Sequence, residues 1–334
     1  MFVKCLDMQK SKVRRDGAVE LYRILLMFGI VFLHSCGNTG EPSSVYLDRM
    51  LRACVPGFIF ITGWFGLKFS VRKIVALYGI AAYSACVASI FGWLILDVPY
   101  SLCSIVEMVR NYWFLNGYVM LMLLAPLVNL AINEVSKSQM EGCHLLPHLA
   151  PLIPVCGLTF GWCFLHQVSG IARVMPLSSG IQSFSGLMML GVYVAGRLSR
   201  IICLDEQLSA KYICLMFGVG LSLTICGHGF ECYASPGALL SSAGFFFVIK
   251  RMKWARKIGD KLLWVCPSLF SVYLMHAHKV PGFEIFAQLK QIVIGYGMPD
   301  LVVWTLSSLI VFTVCLALDT PRRLFVYAIS RSYK

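Results

Sequence analysis

Residues 19–35 read VELYRILLMFGIVFLHS, a run apolar enough to cross a bilayer that still carries Glu20, Arg23 and His34. About 20 predominantly apolar residues span the hydrocarbon core. Backbone groups in lipid must bond internally, so the stretch is predicted as a membrane helix. Arg23 and His34 are 11 positions apart, which is three helical turns plus about 20°, so both leave one face, about 16 Å apart along the axis. Ionisable groups in a membrane helix are costly and usually face a protein interior or a water-filled cavity. Glu20 lies at i−3 from Arg23, close enough to pair with it. The plain reading is a snorkelling ion pair at one helix end and a polar residue at the other exit. The chemical reading is a general base, because an imidazole can lift a proton from a hydroxyl that attacks an activated acyl group. A guanidinium on the same face can bind phosphate or steady a developing oxyanion.

The whole chain has the same character. It has 334 residues, 58% hydrophobic and 13% charged, with a mean hydropathy of +0.75, whereas a soluble domain carries roughly 25% charged residues. Reading outward from residue 19 for further spans gives ten stretches: 17–37, 51–69, 74–96, 112–132, 145–165, 182–202, 211–229, 235–250, 263–279 and 299–319. The fold class expected is therefore all-α, a polytopic membrane helix bundle of about ten transmembrane helices. The basic N-terminus precedes an apolar run without a small-residue cleavage pattern, so no cleaved leader is expected.

The net charge of +13 suits topology better than nucleic acid, because the cations fall in clusters between apolar stretches. With the N-terminus inside, 22 of the Lys and Arg residues lie in inside segments, 6 in outside segments, and Arg23 within the first helix. Such a split predicts an even number of spans with both termini cytoplasmic, in a multi-pass protein of the cell (inner) membrane. The expected organisation is a cytoplasmic basic N-terminus (1–16), an integral membrane domain (17–320) and a basic cytoplasmic tail (321–334). In this frame Arg23 lies near the cytoplasmic leaflet and His34 in the outer half.

The opening Glu-Leu-Tyr-Arg (20–23), followed after ten residues by His34, resembles the first-helix signature of the membrane acyltransferase 3 family. The usual opening there is L-D-x-L-R, an apolar run, then V-x-x-x-H; here Glu20 stands where Asp is usual. Further segments agree in order: VPGFIFITGWFGLKFS (55–70), the Arg72–Lys73 pair, YWFLNGYVMLMLLAPLVN (112–129), MLGVYVAGRLSR (189–200), YASPGALLSSAGFFFVIK (233–250) and SLFSVYLMHAH (268–278). The resemblance covers roughly residues 17–325. It implies O-acylation of a sugar or polysaccharide, with acetyl the expected group because it is the family's commonest. Acyl-CoA, most simply acetyl-CoA, would be the donor substrate on the cytoplasmic side. Arg72 and Lys73 would bind its phosphates, Arg23 and Glu20 would organise the donor site, and His34 would act as general base. The acceptor would be a cell-surface polysaccharide or a lipid-linked sugar, reached among membrane lipids.

Other residues carry both a plain and a chemical reading. His276 can face the same cavity as His34 or satisfy an interhelical hydrogen bond. Trp113, Tyr112 and Tyr118 suit interfacial aromatics, with Trp113 also a substrate candidate. Asn129 can bond across helices or touch substrate. His144 and His148 form an HxxxH spacing that Pro147 disfavours as a regular helix, Arg173 sits in an outer loop, and no zinc-like spacing is present, so no metal is expected. Most of the 14 cysteines read as small reduced core residues, while Cys226 and Cys232 flank a loop where a disulfide is conceivable. A polysaccharide or lipid-linked sugar transporter or flippase is the alternative. Against it, Pro147, Pro151 and Pro154 have no counterpart in another helix, as an internal repeat would require.

Overall fold

The quoted stretch forms one helix, α1 (Gly17–Cys36). Its N-terminus is capped by Asp16, whose carboxylate accepts from the Ala18 N–H at 3.0 Å, satisfying one of the donors a helix start leaves unpaired. The computed structural model describes residues 15–36, 42–96, 101–139, 177–226, 235–276, 287–289, 291–293, 295–296 and 298–332. Among them the regular elements are helical, with no strand. After α1 come α2 (Pro42–Arg52), α3 (Cys54–Phe65), α4 (Val71–Leu96), α5 (Leu102–Asn111), α6 (Trp113–Gln139), α7 (Leu177–Ile201), α8 (Leu204–Gln207), α9 (Ala210–Cys226) and α10 (Pro236–Arg251). Then follow α11 (Lys253–Lys261), a 3₁₀ turn (Cys266–Ser268), α12 (Leu269–His276) and α13 (Asp300–Ser332).

Four of these are long and apolar enough to cross a membrane: α1, α4 over Val71–Leu94, α6 over Trp113–Asn133 and α13 over Asp300–Ile329. The pair Lys253–Lys261 and Cys266–His276, bent by 74°, makes a fifth if taken as one broken span. Ten unbroken spans are not what the described residues form. In the stretch 51–69 a turn at Ala53 delays the start of α3 and Gly66 ends it, leaving that helix only 12 residues long. Stretches 211–229 and 235–250 become α9 and α10, of 17 and 16 residues. Stretch 145–165 lies outside the described residues, as do His144, His148, Arg173, His278 and Cys232. Short and broken helices are tolerated at membrane depth where protein surrounds them. The basic tail from 321 begins within α13, which runs through Pro321 to Ser332.

Burial shows which helix is central. In its most apolar window α1 is 61% buried, against 28%, 33% and 39% for the windows of α4, α6 and α13. Lipid tails are as apolar as leucine, so helices associate in a membrane by close packing and interhelical hydrogen bonds rather than by hydrophobic exclusion. Both are present. At the crossing of α3 and α7, a Cβ on Gly63 would strike the Tyr193 carbonyl oxygen and one on Gly196 would strike that of Phe60. Only glycine lets the two backbones approach so closely. Beside that crossing Phe60, Trp64, Phe246 and Phe247 make edge-on ring contacts at 5.2–5.9 Å, the geometry the ring quadrupole favours. Tyr22 Oη donates to Ser242 O at 2.6 Å, tying α1 to α10, and Tyr83 Oη donates to Leu318 O at 2.8 Å, tying α4 to α13.

Candidate active site

Two groups of side chains mark the ends of α1. At its start, Arg23 Nη1 donates to Glu20 Oε1 at 3.0 Å. Glu20 is 5% exposed, and Arg23 lies over the Phe65 ring with its guanidinium carbon 5.8 Å from the centroid. The pair forms because i and i+3 share a helix face. Phe65 ends α3, so α3 supplies the aromatic floor beneath the cation.

At the far end of α1, His34 faces His276, with ring centroids 5.0 Å apart and planes tilted by 33°. His276 is fully buried at the end of α12. Its Nδ1 lies 2.7 Å from the Val272 carbonyl; a carbonyl can only accept, so Nδ1 carries the hydrogen. In the neutral form of the ring Nε2 is then the acceptor, and that atom is buried without a hydrogen-bond partner among the described residues. Tyr112 Oη donates to Leu274 O at 2.9 Å, which anchors α12 two residues before His276. Trp113 follows directly as the first residue of α6 and packs against the same apolar cluster as Val272 and Tyr273. The structure thus gathers His34, His276 and the α12-facing start of α6 at one end of α1, with Arg23 and Glu20 at the other.

Asn129 sits elsewhere. Its Nδ2 donates to Leu67 O at 3.0 Å and its Oδ1 accepts from Tyr193 Oη at 2.8 Å, while Tyr193 Oη accepts from the Leu67 N–H at 3.0 Å. Both backbone groups of Leu67 are held in this way, just after α3 ends. Arg72 and Lys73 are exposed in the first turn of α4, and no hydrogen bond, ion pair or ring contact joins them to Arg23 among the described residues.

Sequence reasoning passed over a second group of cations near Leu67. Arg200 and Lys250 both lie over Trp64, with Arg200 Cζ 5.1 Å and Lys250 Nζ 4.6 Å from the ring centroid. Arg197 lies against Gly66, where an added Cβ would come within 3.1 Å of Nη1. The only signal in the sequence was their place among basic residues between apolar runs, which a topology count absorbs.

An apolar cavity of about 410 Å³ is lined by Leu25, Gly29 and Phe32 of α1 with Leu51 and Phe217. At 100° per residue Leu25 and Phe32 stand about 180–200° around α1 from Arg23, so much of the cavity lining lies on the opposite side of the helix from the guanidinium.

The family model described as an acyltransferase domain matches residues 16–320. No curated protein and no solved structure matches.

Proposed function

The chain belongs to the acyltransferase 3 family over nearly its whole length, and from that premise we propose that it is an integral membrane O-acyltransferase. It moves an acyl group, most simply acetyl, from cytoplasmic acyl-CoA to a hydroxyl of a cell-surface glycan or its lipid-linked precursor. The observation that carries this reading is the His34–His276 contact at 5.0 Å, on the helix whose other end holds the Arg23–Glu20 pair.

The proposed chemistry needs one bond made and one broken. The acceptor hydroxyl oxygen attacks the thioester carbonyl carbon, the C–S bond breaks, and CoA leaves. His34 takes the hydroxyl proton as the oxygen attacks and returns it to the departing thiolate, so the protein ends unchanged. His276 is fixed in one tautomer by Val272 O, with Nε2 left to accept from an N–H of protonated His34 or from the acceptor hydroxyl. Arg23 is about 16 Å from His34 along α1, a gap suited to the long thin pantetheine arm between nucleotide and thioester. Glu20 holds the guanidinium in place for the donor.

The test is deletion of the gene in the cells that carry it, followed by NMR of the surface polysaccharide. O-acyl signals should disappear and return on complementation, while the unmodified glycan still reaches the surface. Unchanged O-acylation in the deletion strain would overturn the proposal.

A further inference from the structure

We propose that Arg197, Arg200 and Lys250 form a phosphate-binding site against the end of α3, and that on the acyltransferase reading above it takes the phosphates of the donor nucleotide. Trp64, only 2% exposed, is the wall of this site, with Arg200 and Lys250 resting on its indole at 5.1 and 4.6 Å. Arg197 is one helical turn after Tyr193, whose hydroxyl holds Leu67, and its guanidinium lies against Gly66. That residue adopts φ +77°, the left-handed region that glycine occupies without strain. Arg197 and Arg200, three apart, share one face of α7.

Charge is what asks for a ligand here. Four cations meet at this corner: Arg197, Arg200, Lys250 and Arg251. Asp205 is the carboxylate that engages them, through Lys250, while Arg251 donates to the backbone carbonyls of Asp205 and Leu208. The C-terminal ends of α3, α7 and α10 each add about half a unit of negative charge, since Arg200 lies in the last turn of α7 and Lys250 and Arg251 in the last turn of α10. The corner still keeps a net positive charge. Neither Arg197 nor Arg200 makes a side-chain hydrogen bond or ion pair with the described residues, and Arg197 Nε is buried without a partner. A guanidinium N–H withdrawn from water and left unbonded is expensive. A solvated surface patch would not bury it. Phosphate oxygens match the guanidinium fork, and an ammonium adds a point charge. Arg23, over the neighbouring Phe65, lies next along the path towards His34.

The test uses the full chain purified in detergent. Binding of CoA, 3′-dephospho-CoA and pantetheine is measured by calorimetry for wild type, Arg197→Gln, Arg200→Gln and Lys253→Gln, the last removing an exposed cation elsewhere on the basic end. CoA affinity is expected to fall about tenfold in each arginine variant, as for one lost charged hydrogen bond. Pantetheine binding and the Lys253→Gln protein should be unchanged. If Arg197→Gln does not give monodisperse protein, Arg200→Gln and Arg197→Lys carry the comparison. A second arm uses nanodiscs of phosphatidylglycerol or phosphatidylcholine and native mass spectrometry. Retention of phosphatidylglycerol that the arginine variants lose, in a wild type that does not bind CoA, would keep the phosphate site, assign it to a lipid headgroup and sink the donor reading. Binding of both CoA and phosphatidylglycerol that is indifferent to Arg197 and Arg200 would overturn the site itself.

Discussion

The imidazole of His276 lies 5.0 Å from that of His34, centroid to centroid, joining the C-terminal ends of α1 and α12 at the point where, on the proposed mechanism, an acceptor hydroxyl would lose its proton. His276 has its tautomer set by the Val272 carbonyl at 2.7 Å, so its role can be separated from that of His34. His276→Gln, which keeps a hydrogen-bonding side chain but no titratable ring, is expected to lower kcat about tenfold, with the donor KM unchanged. A structural role alone would show as lost thermal stability with kcat intact. Steady-state kinetics and a melting curve on the same preparation distinguish the two.

Glu20 and Arg23 make a pair at 3.0 Å in which Glu20 is nearly buried and Arg23 is about one-third exposed. Removing the carboxylate charge with Glu20→Gln should cost about 1–2 kcal/mol of stability, less than a fully buried pair because solvent screens the guanidinium. The donor KM should rise. Glu20→Asp restores the residue usual in the family and is expected to keep most of the activity. Thermal unfolding and donor kinetics of the two variants give the check.

Gly196→Ala puts a methyl group into the Phe60 carbonyl at the α3–α7 crossing. Backbone atoms on both sides cannot give way as a side chain end can, so the helices must separate. The expected loss is about 1–3 kcal/mol, read as a lowered melting temperature of the detergent-solubilised protein. Gly79→Ala is the control, since nothing lies within 4 Å of its added Cβ.

Asn129 and Tyr193 hold the two backbone groups of Leu67 between them. Asn129→Leu or Tyr193→Phe should each cost about 1–3 kcal/mol, because a backbone polar group is left unbonded away from water. The double variant should cost less than the sum of the two, as residues of one network do. Additive losses would mean that the three groups do not act together.

Much of α1 was legible in the sequence. Periodicity alone places Arg23, Glu20 and His34 on one helix, and i,i+3 spacing foretells the ion pair. The family, too, was carried by local words such as the Arg23–His34 spacing and the Tyr-Leu-x-His ending at His276. What no spacing can supply is contact between distant helices. Nothing in residues 19–35 says that His276 stacks beside His34, and nothing marks Arg200 and Lys250 as sharing one indole. Hydropathy also hides turns: the break at Ala53 follows directly on Arg52 and opens an apolar run, so a window average reads through it and counts one span. Asn129 shows the reverse difficulty, since a lone amide in an apolar run looks the same whether it binds a ligand or, as here, a backbone.

The most direct measurement is the O-acyl content of the surface polysaccharide in cells whose only copy carries His34→Ala, with protein levels matched to wild type. The expected result is a loss of acyl transfer by about 10²–10⁴-fold, the contribution of a positioned general base, seen by NMR as disappearance of the ester signals. Wild-type O-acylation with His34→Ala at equal abundance would contradict the assignment of His34 as the base, and with it the mechanism built on α1.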